Sequence, residues 1–565
     1  MAGRARATTT GGATEAGSGA EPEGPLARGL AVLKAVADAD GAVRLADLAR
    51  TTGLARSAVD RLAATLTHLG HLRLVDRDLV AAPRLMEFGN AYLRAAGLPD
   101  RVQPHLDGLA RTLDESVSLI AADGCDMRIV ARAIPPDRVI PLGFRVGDLL
   151  PADRCAAGAV LADAWDPEQH AAWRTHRAAD PLDAGYPALP PRFTRLEQAA
   201  AEADFAAWIS DAAEQGWALD DQIAAPGLVA LSVPVPVPVR GQDGGPRYAL
   251  SVLAHTSRFS AEALRAHALT HLTGAAREMG GALGADGPAA GGLTPSPYAD
   301  AKTELGPLFL QALARGLAVL TALGGTPGGL TLNEAAEAAG LSYQSTRRNL
   351  LTLLHLGYAE QRGRHYLPAP RTLGLGYARL SGLGLADIAQ PHLAELAARV
   401  HESASVAVLD GAEVRYLARS ATQQVTSVSI HPGARLPAYA TSMGRVLLAD
   451  LTRPDQERLL AALPPRPLTS FTRTSPMDLT QLLAQARQDG YALVEQELEL
   501  GLRSMAVPLR DARGRAVAAV NAALHAGPET PEQSRERLLP HLISTARAME
   551  ADVAAVFAFG PVRND

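Results

Sequence analysis

The sequence predicts an α+β chain built from two copies of one unit, each a winged helix-turn-helix domain followed by an α/β domain. Three observations predict it. The octet LARGLAVL stands at residues 26–33 and again at 313–320, and the same offset of 287 continues far beyond it. Within each copy, three short helical patterns precede a hairpin pattern. After these, β-branched and apolar runs alternate with helical ones, as in an α+β domain.

The repeat organises everything that follows. Its offset pairs Gly53-Leu54 with Gly340-Leu341, Arg61 with Arg348, and His68-Leu69-Gly70 with His355-Leu356-Gly357. It also pairs Pro83-Arg84 with Pro370-Arg371, and Pro104-His105-Leu106 with Pro391-His392-Leu393. After the loss of one residue, Gly147, Pro151 and Gly158 match Gly433, Pro437 and Gly444. Later, Gln215-Gly216-Trp217-Ala218 answers Asp489-Gly490-Tyr491-Ala492. Each copy is about 260 residues, far longer than a solenoid repeat, so the chain is a tandem duplication of a multidomain unit. The expected divisions are a disordered tail (1–24), winged helix-turn-helix one (25–84), and linker helix with α+β domain one (85–280). A flexible linker (281–306) then leads to winged helix-turn-helix two (307–371) and to linker helix with α+β domain two (372–560). The Gly, Ala and Pro of residues 281–300 support that linker.

In unit one, Leu30, Leu33 and Ala37 have helical spacing, and Gly41 ends the first helix. Residues 45–52 form a second helix, Gly53-Leu54 makes the turn, and residues 56–69 form a third with Val59, Leu62, Leu66 and Leu69 on one face. Gly70 stops it, and residues 71–82 read as a hairpin turning near 76–78. Unit two repeats this, with a turn at 340–342, a third helix over 343–356 and a hairpin turning at 362–364. Apolar helices follow at 84–96 and 371–385, then helices at 101–115 and 388–402. The strand-like runs are SVSLIAA, RIVARAI, VALSVPVPVPV and YALSVLA in unit one. Those of unit two are SVAVLD, VRYLARS, SVSIH, RSMAVPL and VAAVNAAL.

Composition bounds the function. In 565 residues, 47% hydrophobic and 20% charged, no run reaches the ~18–20 apolar residues of a membrane span. The first residues carry no apolar core of a secretory signal, and two cysteines, Cys125 and Cys155, cannot build a disulfide framework or a four-ligand zinc site. A cytoplasmic chain without metal or cofactor is expected. The net charge of −6 hides two basic segments. Residues 26–89 carry nine Lys/Arg against seven Asp/Glu, and residues 313–376 carry six against three. Such asymmetry fits local phosphate contact inside an acidic protein.

The third helix of a helix-turn-helix enters the major groove, and its first residues meet base edges. In unit one these are Arg56, Ser57, Asp60 and Arg61; in unit two they are Tyr343, Gln344, Ser345, Arg347 and Arg348. Arg pairs bidentately with guanine and Gln with adenine. Wing residues Arg73, Arg77, Arg362 and Arg364 are expected at phosphates or the minor groove. Double-stranded DNA is therefore the expected partner.

These residues resemble the isocitrate lyase regulator (IclR) family of bacterial transcription factors over nearly the whole chain, twice. The octet, the Gly-Leu turn with its later Arg, and the HLG stop resemble that family's DNA-binding half. LPAYATSMGRVLLA (436–449) and DGYALVEQELELGLRSMAVPLRD (489–511) resemble its effector-binding half. Unit two is most similar to the branch regulating protocatechuate, β-ketoadipate and related aromatic-acid catabolism. The resemblance implies a GAF/profilin-like effector domain, a small organic acid, aromatic or dicarboxylic, as effector, and dimeric assembly, here as a homodimer or an intrachain pseudo-dimer. Carried over by position, the effector-binding candidates are Leu436, Ala440, Thr441, Ser442, Leu502, Ser504 and Asn521. Thr441 and Ser442 begin a helix, where N–H groups and the dipole favour a carboxylate; Arg503 either adds charge or faces away. In unit one TSMG becomes Cys155-Ala156-Ala157-Gly158 and GLRS becomes Gly227-Leu228-Val229-Ala230, so the hydroxyls are gone. Asp153 and Arg154 nearby read as surface charges.

An enzyme is the reading from another class. The sequence contains no G-x-S-x-G elbow, H-E-x-x-H or P-loop. Gly374 and Gly376 lack dinucleotide-fingerprint spacing, His401-Glu402 reads as surface, and Glu495, Glu497 and Glu499 as the solvent side of a packed segment. No catalytic set assembles. The remaining alternative is a ligand-binding or assembly protein with degenerate DNA-binding heads.

Overall fold

The structure, a computed structural model, describes residues 24–39, 41–136, 143–192, 197–237, 248–284, 308–421, 430–527 and 529–563. The expected tail up to residue 23, most of the expected linker and three residues of SVSIH (427–429) lie outside the described residues.

Head one consists of helices Gly24–Asp38, Leu45–Thr52 and Arg56–His68 with the hairpin Leu72–Val75/Asp78–Ala81. A two-residue strand, Val43–Arg44, completes its small antiparallel sheet. Head two has Gln311–Ala322, Leu332–Ala339, Tyr343–His355 and the hairpin Ala359–Arg362/His365–Pro368. The helix-turn-helix corner turns at Gly53 (φ +69°) and Gly340 (φ +64°), a left-handed conformation that glycine adopts without Cβ strain. Val59, Leu62 and Leu66 bury one face of the third helix, as their spacing predicts. The two heads differ in their caps. Thr331 with Glu334 forms a capping box and Ser342 accepts from the Ser345 N–H, whereas Arg44 and Ala55 stand uncapped at the matching places in head one. Each such cap contributes about 0.5–2 kcal/mol.

The repeated octet joins the heads. A Cβ at Gly29 would press into the Leu313 side chain, and one at Gly316 into Leu26, so each glycine admits the other copy's leucine. The contact is reciprocal, as across a two-fold axis. It continues down the linker helices, where Gly89 lies against Leu373 and Tyr377 while Gly376 faces Leu85 and Ala37.

The linker segments are not alike. Unit one runs from a 3-10 turn, Pro83–Leu85, into helix Met86–Ala95. Unit two breaks the expected helix over 371–385 into a 3-10 segment, Pro370–Gly374, and a single turn, Tyr377–Leu380. Gly376 between them sits at φ +91°, outside the helical region. Helices Gln103–Leu113 and Leu385–Val400 follow, and the first four residues of the expected linker belong instead to the end of helix Ala261–Gly284.

Each unit then forms a six-stranded antiparallel sheet with the same strand order. In unit two the strands run Arg435–Pro437, Glu413–Ser420, Ser403–Asp410, Ala516–His525, Leu502–Arg510 and Ala492–Glu495 across the sheet. One face packs on Leu385–Val400 and the long helix Pro531–Val556; the other faces helix Ser442–Asp450.

Heads and sheets are crossed. Arg73 of head one bonds Asp552 of unit two (3.2 Å), and Asn90 donates to the Ala555 carbonyl (2.7 Å). Conversely, Arg371 beside head two reaches Asp123 of unit one (3.2 Å) while also donating to the Leu356 carbonyl at the end of the recognition helix (2.9 Å). Among the described residues no helix is long and apolar enough to cross a membrane.

A Cβ at Gly324 of unit two would run into the backbone and Cβ of Ala91 in unit one. Gly324→Ala is expected to cost about 1–3 kcal/mol by overpacking this inter-unit contact. Gly274→Ala, at a mid-helix glycine with open space around its Cβ position, is expected to stabilise by up to about 1 kcal/mol. Urea denaturation of the two variants checks both signs.

Candidate functional site

In unit two the sheet face opposite the long helix encloses a cavity of about 240 Å³. Side chains alternate along a strand, so Ser403 and Ser405, Leu502 and Ser504, and Asn521, Ala523 and His525 share this face. Tyr416 and Arg419 complete the sheet side, and Ala440, Thr441, Ser442 and the 498–501 loop form the roof. Arg503, between two lining residues, points the other way. It is buried, bonds Ser534 (2.7 Å) and the Glu529 carbonyl (2.7 Å), and pairs with Glu495, anchoring the sheet to the long helix.

The roof is held tightly. A Cβ on Gly444 would strike the Ala438 carbonyl, so only glycine lets helix Ser442–Asp450 press onto the 3-10 turn Ala438–Ala440. Thr441 caps this helix, accepting from the Gly444 N–H (3.1 Å), and the Ser442 hydroxyl lies 2.8 Å from that of Ser504. Arg445 and Glu497, both buried, pair at 2.6 Å, and Arg445 also donates to the Tyr439 carbonyl. Glu497 is therefore not on the solvent side. It accepts from the Arg473 N–H as well (2.8 Å) and ties the loop over the cavity.

Two groups give the cavity its chemistry. Arg419 brings a guanidinium, which donates to the Ile430 carbonyl (2.9 Å) and approaches Ser403 (3.5 Å). Asn521 is 4% exposed and its Oδ1 receives no hydrogen bond; a buried unsatisfied acceptor costs about 1–3 kcal/mol. Burial pushes the nearby Tyr416 hydroxyl up to about 12, keeping it a neutral donor.

Six of the seven sequence-derived effector candidates line this cavity. Leu436 does not: it pairs with Val414 at the sheet edge and packs into the neighbouring apolar cluster. Sequence reading missed Ser403, Ser405, Tyr416, Arg419, Glu499 and His525. Period-two alternation outward from Ser504 and Asn521 would have found His525, but nothing local marks the others.

Unit one has rebuilt the same place. Arg154 occupies the position of Ala440 and is buried, not a surface charge. It donates to Asp183 (3.0 Å) and to the Pro190 (3.1 Å) and Ala224 (2.5 Å) carbonyls. Asp153 is likewise enclosed by Arg177 (2.6 Å) and Arg192 (2.8 Å). Asp220 stands where unit two has Val494; burial raises its carboxyl to about 7 against the pull of two backbone N–H groups.

On the DNA side, Arg56, Ser57, Asp60 and Arg61 are exposed on one recognition helix, with Arg56 paired to Asp60 (3.1 Å). Tyr343, Gln344, Arg347 and Arg348 are exposed on the other, while Ser345 is half-buried. Arg77 and Arg364 are exposed at the wing turns. Arg73 is set back from its wing turn, and Arg362, which pairs with His365 across the other turn, is half-buried. Arg73 turns inward to Asp552 and His392, and half-buried Arg362 pairs with Glu360 beside Tyr92 and Tyr248. Both sit on wing strands that the opposite unit or the linker helix covers.

Two winged helix-turn-helix heads joined to two sheet domains define a DNA-binding transcriptional regulator rather than an enzyme. The profile of the IclR helix-turn-helix domain matches residues 25–76 and 312–363, and that of the bacterial transcriptional regulator IclR C-terminal domain matches 90–280 and 377–551. The chain belongs to the IclR family and carries its two domains twice. It is 41% identical over 242 residues to the Pca regulon regulatory protein of Pseudomonas putida, covering 43% of this chain and 83% of that one. The Pca operon regulatory protein of Acinetobacter baylyi is 36% identical over 245 residues (43% and 88%). The p-hydroxybenzoate hydroxylase transcriptional activator of the same organism is 35% identical over 246 residues (43% and 91%). Each therefore corresponds to about one unit.

Asp220 generates a pH prediction. Its folded pKa lies above its unfolded value, so the unfolded chain ionises first and stability falls as pH rises from about 4 to about 7. Asp220→Asn can keep the acceptor for the Ile223 N–H and is expected to remove this loss. Urea midpoints at pH 5 and pH 7.5 should show the variant gaining on the wild type at the higher pH.

Proposed function

We propose that this regulator binds an operator with its two heads and that a small aromatic or dicarboxylic acid, taken into the unit-two cavity, modulates that binding. The observation that carries the reading is the cavity itself, partly open and lined by polar and apolar side chains in similar measure. At about 240 Å³ it is below the ~300–1,000 Å³ of drug-sized ligand sites. It combines a guanidinium, several hydroxyls and an acceptor without a donor. A carboxylate fits Arg419 and the serines, and a ligand hydroxyl fits Asn521 Oδ1, which together describe a hydroxylated aromatic acid. The names of the relatives, for Pca regulation and for a p-hydroxybenzoate hydroxylase, support the same class.

In this reading unit two is the sensor, and unit one, with Arg154 and Ala156 in the matching place, takes a more apolar ligand or none. The sheet domains are of the GAF/profilin-like kind, and the domain divisions are those drawn from the sequence, with residues 281–284 joined to the end of sheet domain one. The chain acts as an intrachain pseudo-dimer, supported by the reciprocal Gly29–Leu313 and Gly316–Leu26 contacts. Its unlike recognition helices read an asymmetric operator. Head one, whose Arg56 is engaged by Asp60, is the weaker reader.

Calorimetry with 4-hydroxybenzoate, 3,4-dihydroxybenzoate and adipate tests the cavity. Arg419→Met and Asn521→Leu are each expected to weaken the bound acid by roughly 10-fold or more, the worth of a hydrogen bond to a charged or buried group. No binding of any such acid to the wild type defeats the sensor reading. Fluorescence anisotropy across salt, on DNA from upstream of the gene, tests the heads. Arg347→Ala or Arg348→Ala is expected to cost about 1–3 kcal/mol of operator affinity. Equal affinity for scrambled DNA leaves a ligand-binding protein with degenerate heads.

A further inference from the structure

Away from the cavity, the tip of a hairpin in unit one gathers three side chains of metal-ligating type. Strands Ser116–Asp123 and Asp126–Ala133 are joined at Gly124 (φ +67°), which sets Cys125 and Asp126 at the tip. Helix Pro167–Ala179, fixed at its start by an Asp166/Gln169 capping box, brings His176 of its last turn over that tip. Cys125 Sγ lies 3.9 Å from His176 Nδ1, and His176 Nδ1 lies 3.5 Å from Asp126 Oδ2. All three donor atoms fall within 4.8 Å of one another.

We propose that Cys125, Asp126 and His176 form a three-ligand site for a thiophilic divalent metal ion of the zinc class, with water as the fourth ligand. A tetrahedral zinc with Zn–S of 2.3 Å and Zn–N of 2.0–2.1 Å sets its ligand atoms roughly 3.3–3.6 Å apart. The two edges to His176 are within a few tenths of an ångström of that, and the third, between Cys125 and Asp126, is at most 4.8 Å, so the metal would draw these two side chains together. The Tyr186 hydroxyl donates to Asp126 Oδ1 (2.6 Å), leaving Oδ2 directed at His176, and the Tyr186 ring stacks on the imidazole. Such outer partners orient metal ligands. Beside Asp126 and His176 a cleft of about 10 Å³ remains, on the order of one water. Thiolate with imidazole and carboxylate selects zinc-like ions over magnesium or calcium. On binding, the Cys125 thiol gives its proton to solvent.

The set belongs to unit one alone. At the matching hairpin unit two has Ala412 and Glu413, and Glu413 is taken by Arg435 (2.8 Å). The duplicated copy that lost the polar effector pocket has thus acquired a different ligand chemistry.

Cobalt titration of the full chain, stripped with chelator, tests the site. One equivalent of Co²⁺ is expected to give a thiolate-to-cobalt charge-transfer band with the visible bands of tetrahedral cobalt, both abolished by excess Zn²⁺. Cys125→Ser removes the charge-transfer band, and His176→Ala or the outer-partner variant Tyr186→Phe weakens Co²⁺ roughly 10-fold or more. Circular dichroism verifies that each variant is folded, and Tyr186→Phe, which keeps all three ligands, serves if the others are not. Absence of Co²⁺ binding up to millimolar, or a thiolate band that survives Cys125→Ser or vanishes with Cys155→Ala, overturns the proposal.

Discussion

The rest of the molecule depends on the close packing of the two copies of one octet. Gly29 and Gly316 have no side chain because each must receive a leucine from the other copy, Leu313 and Leu26, and all four lie in the buried core. A self-complementary patch of this kind ordinarily joins two subunits. Here both halves are on one chain, so pairing is an intramolecular event and the partner's effective concentration is set by the connecting segment. Once the octets are paired, the linker segments follow: Gly89 against Leu373 and Tyr377, Gly324 against Ala91. The two heads then have a fixed mutual orientation, and each sheet domain meets the other unit's head.

Two polar clusters lie at those crossed contacts. Asp552 of the long unit-two helix holds Arg73 of head one and lies 2.8 Å from His392. Asp123 in unit one holds both its own Arg128 (2.7 Å) and Arg371 from the segment after head two. Arg371 at the same time touches the last turn of a recognition helix. In both inter-unit pairs the carboxylate is buried while its arginine keeps part of its surface in solvent, which lowers the cost of desolvating the pair. They join each sheet domain to the head of the other unit through side chains far apart in sequence.

Much was legible in the sequence, and for identifiable reasons. The helices and hairpins of the heads emerge with boundaries within one or two residues, since hydrophobic period and punctuating glycines are local signals. Six effector candidates reach one cavity because Leu502, Ser504 and Asn521 share a strand face and Ala440, Thr441 and Ser442 are consecutive at the start of the roof helix. The failures share a cause. Arg154 and Glu497 read as surface charges, yet both are buried against partners 29 to 70 residues away and 52 residues away respectively. Arg73 reads as a wing contact, yet its partner is 479 residues distant. The helix expected over 371–385 fails at Gly376, whose left-handed turn lets two linker segments pack together.

By itself, then, the sequence determined the duplication, the order of elements in each unit and the chemical inventory of each unit: two Arg-bearing recognition helices, one hydroxyl-rich half and one that has lost those hydroxyls. These are properties of neighbours along the chain, where periodicity and spacing act. Only the tertiary structure decided that the two octets face each other, that Arg419 and Asn521 share a cavity, and that Cys125 and Asp126 meet His176. Each of those depends on strands and helices far apart in sequence converging, and burial and hydrogen bonding across such distances leave no local pattern to read.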